Sequence, residues 1–269
     1  MGRLREGVVV PFTAVQEGWV RITTPCELAR WMRSDRAVHL ARPTIILDPG
    51  HGGNERGAVG PTGLEEKTIN LDVAYAAADA LASAGVPTAL TRTGDYRATL
   101  AFRVAVANAA KPRAFVSIHH NSDPDGPLNR PGTETYFQIG SGESRRLAGL
   151  VYEDVVRGLS TLAASWVGDT DAGAKWRPNR RGGDYYGLLR MARATGITAT
   201  LVELAFVSNP SEEALLRRAD VRRLEGEAVA RGILRYLRSN DPGGGFTTPY
   251  PRTEPAGPGG GLAGCVDPS

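Results

Sequence analysis

The chain has 269 residues, a net charge of +3, 41% hydrophobic and 23% charged residues, enough to fill the core of one large domain with appendages. The mildly basic balance suits an anionic surface but is too small to point to nucleic acid. No apolar run approaches the roughly 18 residues of a membrane helix, and Cys26 and Cys265, near opposite ends, form no close-spaced metal motif.

The first 40 residues read as an N-terminal β appendage. Val8–Phe12 and Trp19–Thr23 are strand-like, with Gln16-Glu17-Gly18 as the turn between them, and the piece is too short for a core of its own. The opening M-G-R-L-R-E-G-V-V-V-P-F has basic residues but only a very short apolar segment, so no signal peptide is read there. The cysteines suit one disulfide in an oxidising compartment or two separate thiols.

Residues 41–239 alternate strand and helix. Thr44–Leu47 is a short apolar strand. Thr68–Ala84 is a helix with Ile69, Val73, Ala76, Ala77 and Leu81 on one face and Gly85 as its C-terminal stop. Val86–Leu90 is a strand, Leu100–Ala110 an alanine-rich helix stopped by Pro112, and Ala114–Ile118 and Gly132–Gln138 are further strands. Ser144–Leu162 has apolar residues at helical spacing, Tyr186–Ala194 reads as a short helix and Thr198–Glu203 as the last strand. Ser211–Arg218 and Val221–Arg238 are helices. This alternation predicts a single α/β/α three-layer domain around a mostly parallel mixed sheet, whose fully buried strands read as continuous apolar runs and whose ligands gather at the strand carboxyl ends. Residues 240–269, rich in Gly and Pro, read as a disordered tail.

The polar residues at those strand ends are distinctive. The first strand runs into Asp48 and His51 within L-D-P-G-H-G-G-N-E-R-G, where glycines let the backbone turn sharply. The Ala114–Ile118 strand runs into His119, His120 and Asn121. The last strand ends at Glu203, a carboxylate that is costly in an apolar strand unless used or paired. Glu65-Glu66 opens the helix after the glycine-rich loop, where either carboxylate also suits the helix dipole. Three of the chain's four histidines fall in this set. Two imidazoles and one carboxylate suit zinc with an open coordination position, better than the oxygen-seeking Ca²⁺ or Mg²⁺. A further carboxylate that is not a ligand can act as base, and Glu203 is placed for that. Spacing alone leaves Glu65 against Glu66, and His119 against His120, open.

These segments resemble the zinc-dependent N-acetylmuramoyl-L-alanine amidases of bacterial peptidoglycan, in order, across residues 43–238. I-I-L-D-P-G-H-G-G with G-A-V-G resembles the first metal segment, G-L-E-E-K-T-I-N-L-D-V-A the second, F-V-S-I-H-H-N-S the third, and T-L-V-E-L-A-F-V-S-N-P the segment of the catalytic glutamate. P-G-T-E-T-Y-F-Q and G-D-Y-Y-G-L-L-R are closer to actinobacterial members. Glu55 departs from the family, which usually has Asp there. The resemblance implies His51, Glu66 and His119 as ligands of one Zn²⁺, and Glu203 as the catalytic base in cleaving the amide between N-acetylmuramic acid and L-alanine. Arg190, whose guanidinium pairs with carboxylates, and Asn121 are read as candidates for substrate contact. The resemblance also implies peptidoglycan or muropeptides as partner, a monomer, and an extracytoplasmic place of work, so that an export signal is absent from this chain. Two rival readings are a zinc carboxypeptidase or aminopeptidase on peptide substrates and a non-catalytic wall-binding module.

Overall fold

A computed structural model describes residues 4–38, 42–249 and 260–269. In chain order the strands are β1 Phe12–Gln16, β2 Trp19–Thr23, β3 Ala29–Arg33, β4 Ile45–Pro49, β5 Thr88–Leu90, β6 Ala114–Asn121, β7 Gly126–Pro127, β8 Glu134–Phe137, β9 Val167–Gly168, β10 Ala174–Lys175 and β11 Ala199–Phe206. The α-helices are α1 Glu66–Ser83, α2 Leu100–Ala110, α3 Gly142–Leu159, α4 Gly187–Ala194, α5 Pro210–Leu216 and α6 Ala219–Arg238.

The main sheet has the order β10-β8-β11-β6-β4-β5. All neighbours are parallel except β8 and β11, so the expected mixed, mostly parallel sheet is present. Period-two alternation sorts its side chains between two cores. Ile45 and Leu47, Val116 and Ile118, and Val202 and Leu204 face helices α1, α3 and α6. Ile46, Phe115 and Leu201 face α2 and α4. Thr99 caps α2 by accepting from Phe102 N, and Asn209 caps α5 by accepting from Ser211 N and Glu212 N, each satisfying helix donors that have no intrahelical partner. Strand β6 runs three residues beyond the apolar stretch Ala114–Ile118 and so carries His119 and His120 within the ladder. Strand β11 likewise continues past Glu203.

The N-terminal piece is an antiparallel sheet of order β1-β2-β3. Its first strand begins at Phe12 rather than ending there. Glu17 and Gly18 both take positive φ, 44° and 79°, so a two-residue turn fixes the register with Gln16 opposite Trp19, as left-handed hairpin turns do. Val20 and Ile22 are buried beneath it.

Of the expected disordered tail, residues 240–249 and 260–269 are described and make contacts, while residues 250–259 lie outside the described residues. On one side Phe246 bridges to Ala174 and lies under the Arg145 guanidinium. On the other, Cys265 is disulfide-bonded to Cys26, and Asp267 Oδ1 accepts from Cys26 N at 2.9 Å. Arg97 donates to the carbonyls of Ala263 and Gly261, and Asn54 donates to Gly264 O. Low hydrophobicity argues against folding from buried apolar area, but it does not count a covalent bridge or backbone hydrogen bonds to a finished domain.

The bridge closes a loop of most of the chain, so it restricts the unfolded ensemble strongly. Cys265→Ser is expected to lower stability by about 2–4 kcal/mol. Urea melts of wild type and variant, each with and without reductant, check this: the variant should melt early in both conditions and wild type only in reductant. Coincident wild-type curves would count against the bridge as a stabilising element.

Candidate active site

The loop Gly50–Gly57 is held by two buried arginines. Arg103 Nη1 donates to Pro49 O at 2.6 Å and Nη2 to His51 O at 2.7 Å. Arg92 Nε donates to Pro49 O at 3.0 Å and Nη2 to Gly50 O at 2.9 Å. Inward-pointing carbonyls, which an ordinary loop leaves to water, are thereby satisfied by cations from the start of α2 and the end of β5. Arg103 is itself paired with buried Asp48 at 2.7 Å, which also accepts from Ser117 Oγ at 2.6 Å and from Thr91 Oγ1.

This cradle holds His51 at φ 61°, a left-handed conformation uncommon for a side-chain-bearing residue and associated with functional sites. Two glycines are required by contact. A Cβ on Gly50 would fall 2.2 Å from the His119 ring, and one on Gly57 would fall 2.3 Å from Glu66 Oε2 at a φ of +70°. The glycine density around His51 is therefore the backbone making room for Glu66 and His119.

Glu66 is the first residue of α1 and is buried. His51 Nε2 lies 3.0 Å from its Oε2 and His119 Nδ1 3.0 Å from its Oε1. Ala58 N donates to Oε2 at 2.8 Å and His120 N to Oε1 at 3.1 Å. Burial opposes ionisation of this carboxyl, but the charge and hydrogen bonds of His51 and His119 outweigh it and hold Glu66 well below the usual carboxylate range. Burial pushes the His119 imidazole down, towards the neutral form that binds metals. One donor atom from each of His51, Glu66 and His119 lies within 4.8 Å of the other two. The His51 side chain keeps 28% of its surface and His119 keeps 18%, so the cluster opens to solvent on one side. Two imidazole nitrogens and one carboxylate oxygen, with space beside them, fit a zinc ion with a coordination position left for substrate or water.

The paired possibilities separate by geometry. Glu65 turns outward to Arg56 and Lys67, whereas Glu66 turns in. His120 follows His119 in the strand and so faces the opposite side of the sheet. There its Nδ1 lies 2.8 Å from Asn70 Oδ1 and its Nε2 3.4 Å from Glu225 Oε2. Asn70 Nδ2 in turn donates to Glu66 Oε1 at 3.1 Å, so His120 reaches the cluster through Asn70.

Glu203 sits opposite His119 on β6 and opposite Glu134 on β8, and residues paired across a ladder share a face. The register slips between Glu203 and Phe206, a bulge of the kind that re-aims side chains beside active sites. Next to it lies a polar group that sequence reasoning missed. Glu134 Oε2 accepts from Tyr136 Oη at 2.6 Å and Asn121 Nδ2 at 2.9 Å, while buried Lys175 pairs with both Glu134 and Asp171. The signal was present, since a glutamate inside T-E-T-Y is as costly as one inside L-V-E-L. Tyr186, whose ring lies 4.5 Å from that of Tyr136, has its hydroxyl pushed up by burial and by the Glu203 charge. Asn121 is engaged by Glu134 and by Ser122 N. Arg190 Nη1 donates to Asp184 O at 2.7 Å and to Tyr185 O at 3.2 Å, which orders the turn carrying Tyr186.

An α/β/α domain with a His₂Glu donor set and a separate carboxylate at its strand ends has the build of a metallohydrolase. Comparison with known proteins narrows that class. The profile of the N-acetylmuramoyl-L-alanine amidase family matches residues 45–235, and the chain belongs to that family. It is 32% identical over 225 residues to N-acetylmuramoyl-L-alanine amidase AmiC of Neisseria meningitidis, covering 74% of this chain and 54% of that protein. It is 36% identical to protein YqiI of Bacillus subtilis, covering 72% of this chain and 84% of YqiI. Among solved structures, amidase AmiC2 of Nostoc punctiforme superposes with a TM-score of 0.60 at 30% identity, covering 74% of this chain and 99% of that one. The chain thus spans about half the length of the Neisseria relative.

Asp48 is held below the usual carboxylate range: burial opposes ionisation, but Arg103 and the Ser117 and Thr91 hydroxyls prevail. A depressed folded-state pKa means that this contribution is present above the unfolded carboxylate pKa and is lost as pH falls through the folded value. Arg103→Met strands the Asp48 charge and is expected to cost about 3–5 kcal/mol at neutral pH. Asp48→Asn with Arg103→Met should recover part of that loss. Urea titrations of the single and double variants decide this, and an Arg103→Met protein as stable as wild type would refute the cradle.

Proposed function

We propose that this chain is a zinc-dependent peptidoglycan amidase that hydrolyses the amide joining the lactyl group of N-acetylmuramic acid to L-alanine. The observation that carries this reading is the convergence of His51, Glu66 and His119 on one point, with Glu203 on the adjoining strand position of the same sheet face, in a chain of the amidase family. A zinc ion held by those three side chains would supply a Lewis acid for the scissile carbonyl and an activated water.

The remaining roles belong to the chain's own groups. Glu203 Oε takes the proton from the attacking water and returns it to the leaving amine of L-alanine. The rigid ladder position of Glu203 limits the reorganisation this needs. Asn70 fixes the Glu66 carboxylate by donating to Oε1, and His120 fixes the Asn70 amide by donating from Nδ1 to Oδ1, since an amide oxygen only accepts. Glu225 faces the other nitrogen of the ring. Such outer partners set ligand orientation and tune affinity. Lys175 compensates Glu134, so the carboxylate beside Glu203 does not press a second uncompensated charge on it. The substrate contacts anticipated from Asn121 and Arg190 draw no support from their bonds, which hold Glu134 and the Tyr185 turn. Peptidoglycan as substrate places the work outside the cytoplasm, and a Cys26–Cys265 disulfide fits an oxidising compartment. No helix among the described residues is long and apolar enough to cross a membrane.

Glu203→Gln is expected to retain zinc and lose hydrolysis by at least about 10²-fold, with elemental analysis and muropeptide mass spectrometry as the two measurements. Release of free stem peptide and intact glycan identifies the amide cut; a cut between amino acids would replace this reading with a peptidase. Wild-type release rates in Glu203→Gln would remove Glu203 from the mechanism. Asn70→Ala is expected to weaken zinc binding about 10–100-fold, read by competition with a chelating dye. His120→Ala should do the same by a smaller factor, and unchanged dissociation constants in both would show that Glu66 needs no outer support.

A further inference from the structure

The β1–β2–β3 sheet has one face buried by Val20 and Ile22 and an opposite face that the proposed chemistry leaves unused. On that face Trp19 opposes Arg33, and Arg21 opposes Trp31. Aromatic and cationic side chains therefore form a checkerboard, with Trp19 and Trp31 at diagonal ladder positions whose backbones lie about 7–8 Å apart. Trp19 keeps 39% of its surface and Trp31 keeps 47%. A shallow, open cleft of about 330 Å³ is lined by Trp19, Trp31 and, from the hairpin turn, Gln16 and Glu17. Arg21 is exposed, and among the described residues Arg33 is paired with solvent-exposed Asp35, a contact that another carboxylate can replace at little cost.

We propose that this face binds the glycan of peptidoglycan, as a wall-anchoring surface separate from the cleavage site; this rests on the reading of the chain as a peptidoglycan amidase. A sugar ring offers an apolar C–H face that stacks on an indole and equatorial hydroxyls that bond to an amide or a carboxylate. Trp19 and Trp31 supply the stacking planes, and Gln16 and Glu17 the hydrogen-bonding groups. Arg21 and Arg33 complement the free carboxylates of the stem peptides that the glycan carries. A second copy of this chain is a poor occupant, because self-pairing of the face would bring the guanidinium groups of Arg21 and Arg33 against those of the other copy. A purely apolar partner would strand the guanidinium groups. The Cys26–Cys265 bridge, three residues beyond β2, ties the sheet to the segment that packs on the Asn54–Glu55 loop. A glycan held on the indoles is thus held at a fixed offset from His51.

The test uses the full chain carrying Glu203→Gln, so that sacculi are not consumed, and measures co-sedimentation with purified insoluble peptidoglycan. Adding Trp19→Ala and Trp31→Ala is expected to weaken retention by about tenfold or more. Otherwise wild-type protein carrying only those two substitutions should cut a soluble muramoyl peptide at the normal rate. Arg21→Glu, which spares the rings, should weaken retention and flatten its salt dependence. Unchanged sedimentation in both sets overturns the proposal. So does a wild-type dimer, seen by analytical ultracentrifugation, that the tryptophan substitutions dissociate, since the face would then be a self-interface. Failure of wild type to cut the soluble substrate, with retention still lost on substitution, would overturn the amidase reading and leave the binding face standing.

Discussion

The geometry at the strand ends depends on one buried carboxylate. Glu66 stands at the first position of α1, with its two oxygens divided between His51 and His119 and between the backbone amides of Ala58 and His120. A carboxylate taken out of water is stable only when its lone pairs are filled, and here the glycine-rich loop, β6 and α1 each fill some of them. Removing any one contributor leaves a buried charge partly unpaired, so the three elements are held together by the cost of separating them as much as by attraction. The same carboxylate favours the positive end of the α1 dipole. Local helix chemistry and long-range assembly therefore select the same residue.

The sheet repeats this pattern of buried charge with local compensation. Asp48 is balanced by Arg103, Glu134 and Asp171 by Lys175 and Arg177, and His120 lies between Asn70 and Glu225. These groups stand at or near the carboxyl ends of the central strands, where the crossovers leave polar ends uncovered by apolar side chains. Stability alone does not favour such an arrangement, because apolar replacements of buried ion pairs are often neutral or better. What the charges provide is position. Arg92 and Arg103 fix the carbonyls of residues 49–51, and the left-handed φ of His51 follows from a loop tied at successive peptide groups.

Much of the main domain was legible because its strands are short apolar runs separated by long amphipathic or alanine-rich helices, and each period has one physical reading. The antiparallel placement of β8 was not legible, since strand direction depends on the route of the chain through the crossovers and not on side-chain pattern. Strands β7, β9 and β10, of two residues each, carry too little pattern to read. At the site, the residue types and their strand-end positions were visible, but alternation alone could not say which of His119 and His120 faces the cluster. The Asn70–His120 link was invisible because a helix and a strand meet there only after folding. Glu134 carried the same signal as Glu203 and went unused because its partner Lys175 stands in a two-residue strand far along the chain.

The described parts of the tail are held in a way that bears on how the whole chain works. Composition measures whether a segment can fold by itself, and residues 260–269 do not need to. Glu55, which the family pattern would make an aspartate, has an additional methylene and uses it to meet both Arg97 and the Gly260 amide. Asn54 beside it holds Gly264 O, and Cys265 holds the N-terminal sheet. A continuous set of contacts thus runs from the β1–β3 sheet through the bridge and the tail to the loop of His51. Loops beside active sites are drawn from the least stable parts of a fold, and here that loop is tied from beneath by Arg92 and Arg103 and from the outer side by the tail. The appendages outside the amidase match therefore act as part of the site's scaffold, and the disulfide makes that scaffold conditional on an oxidising environment.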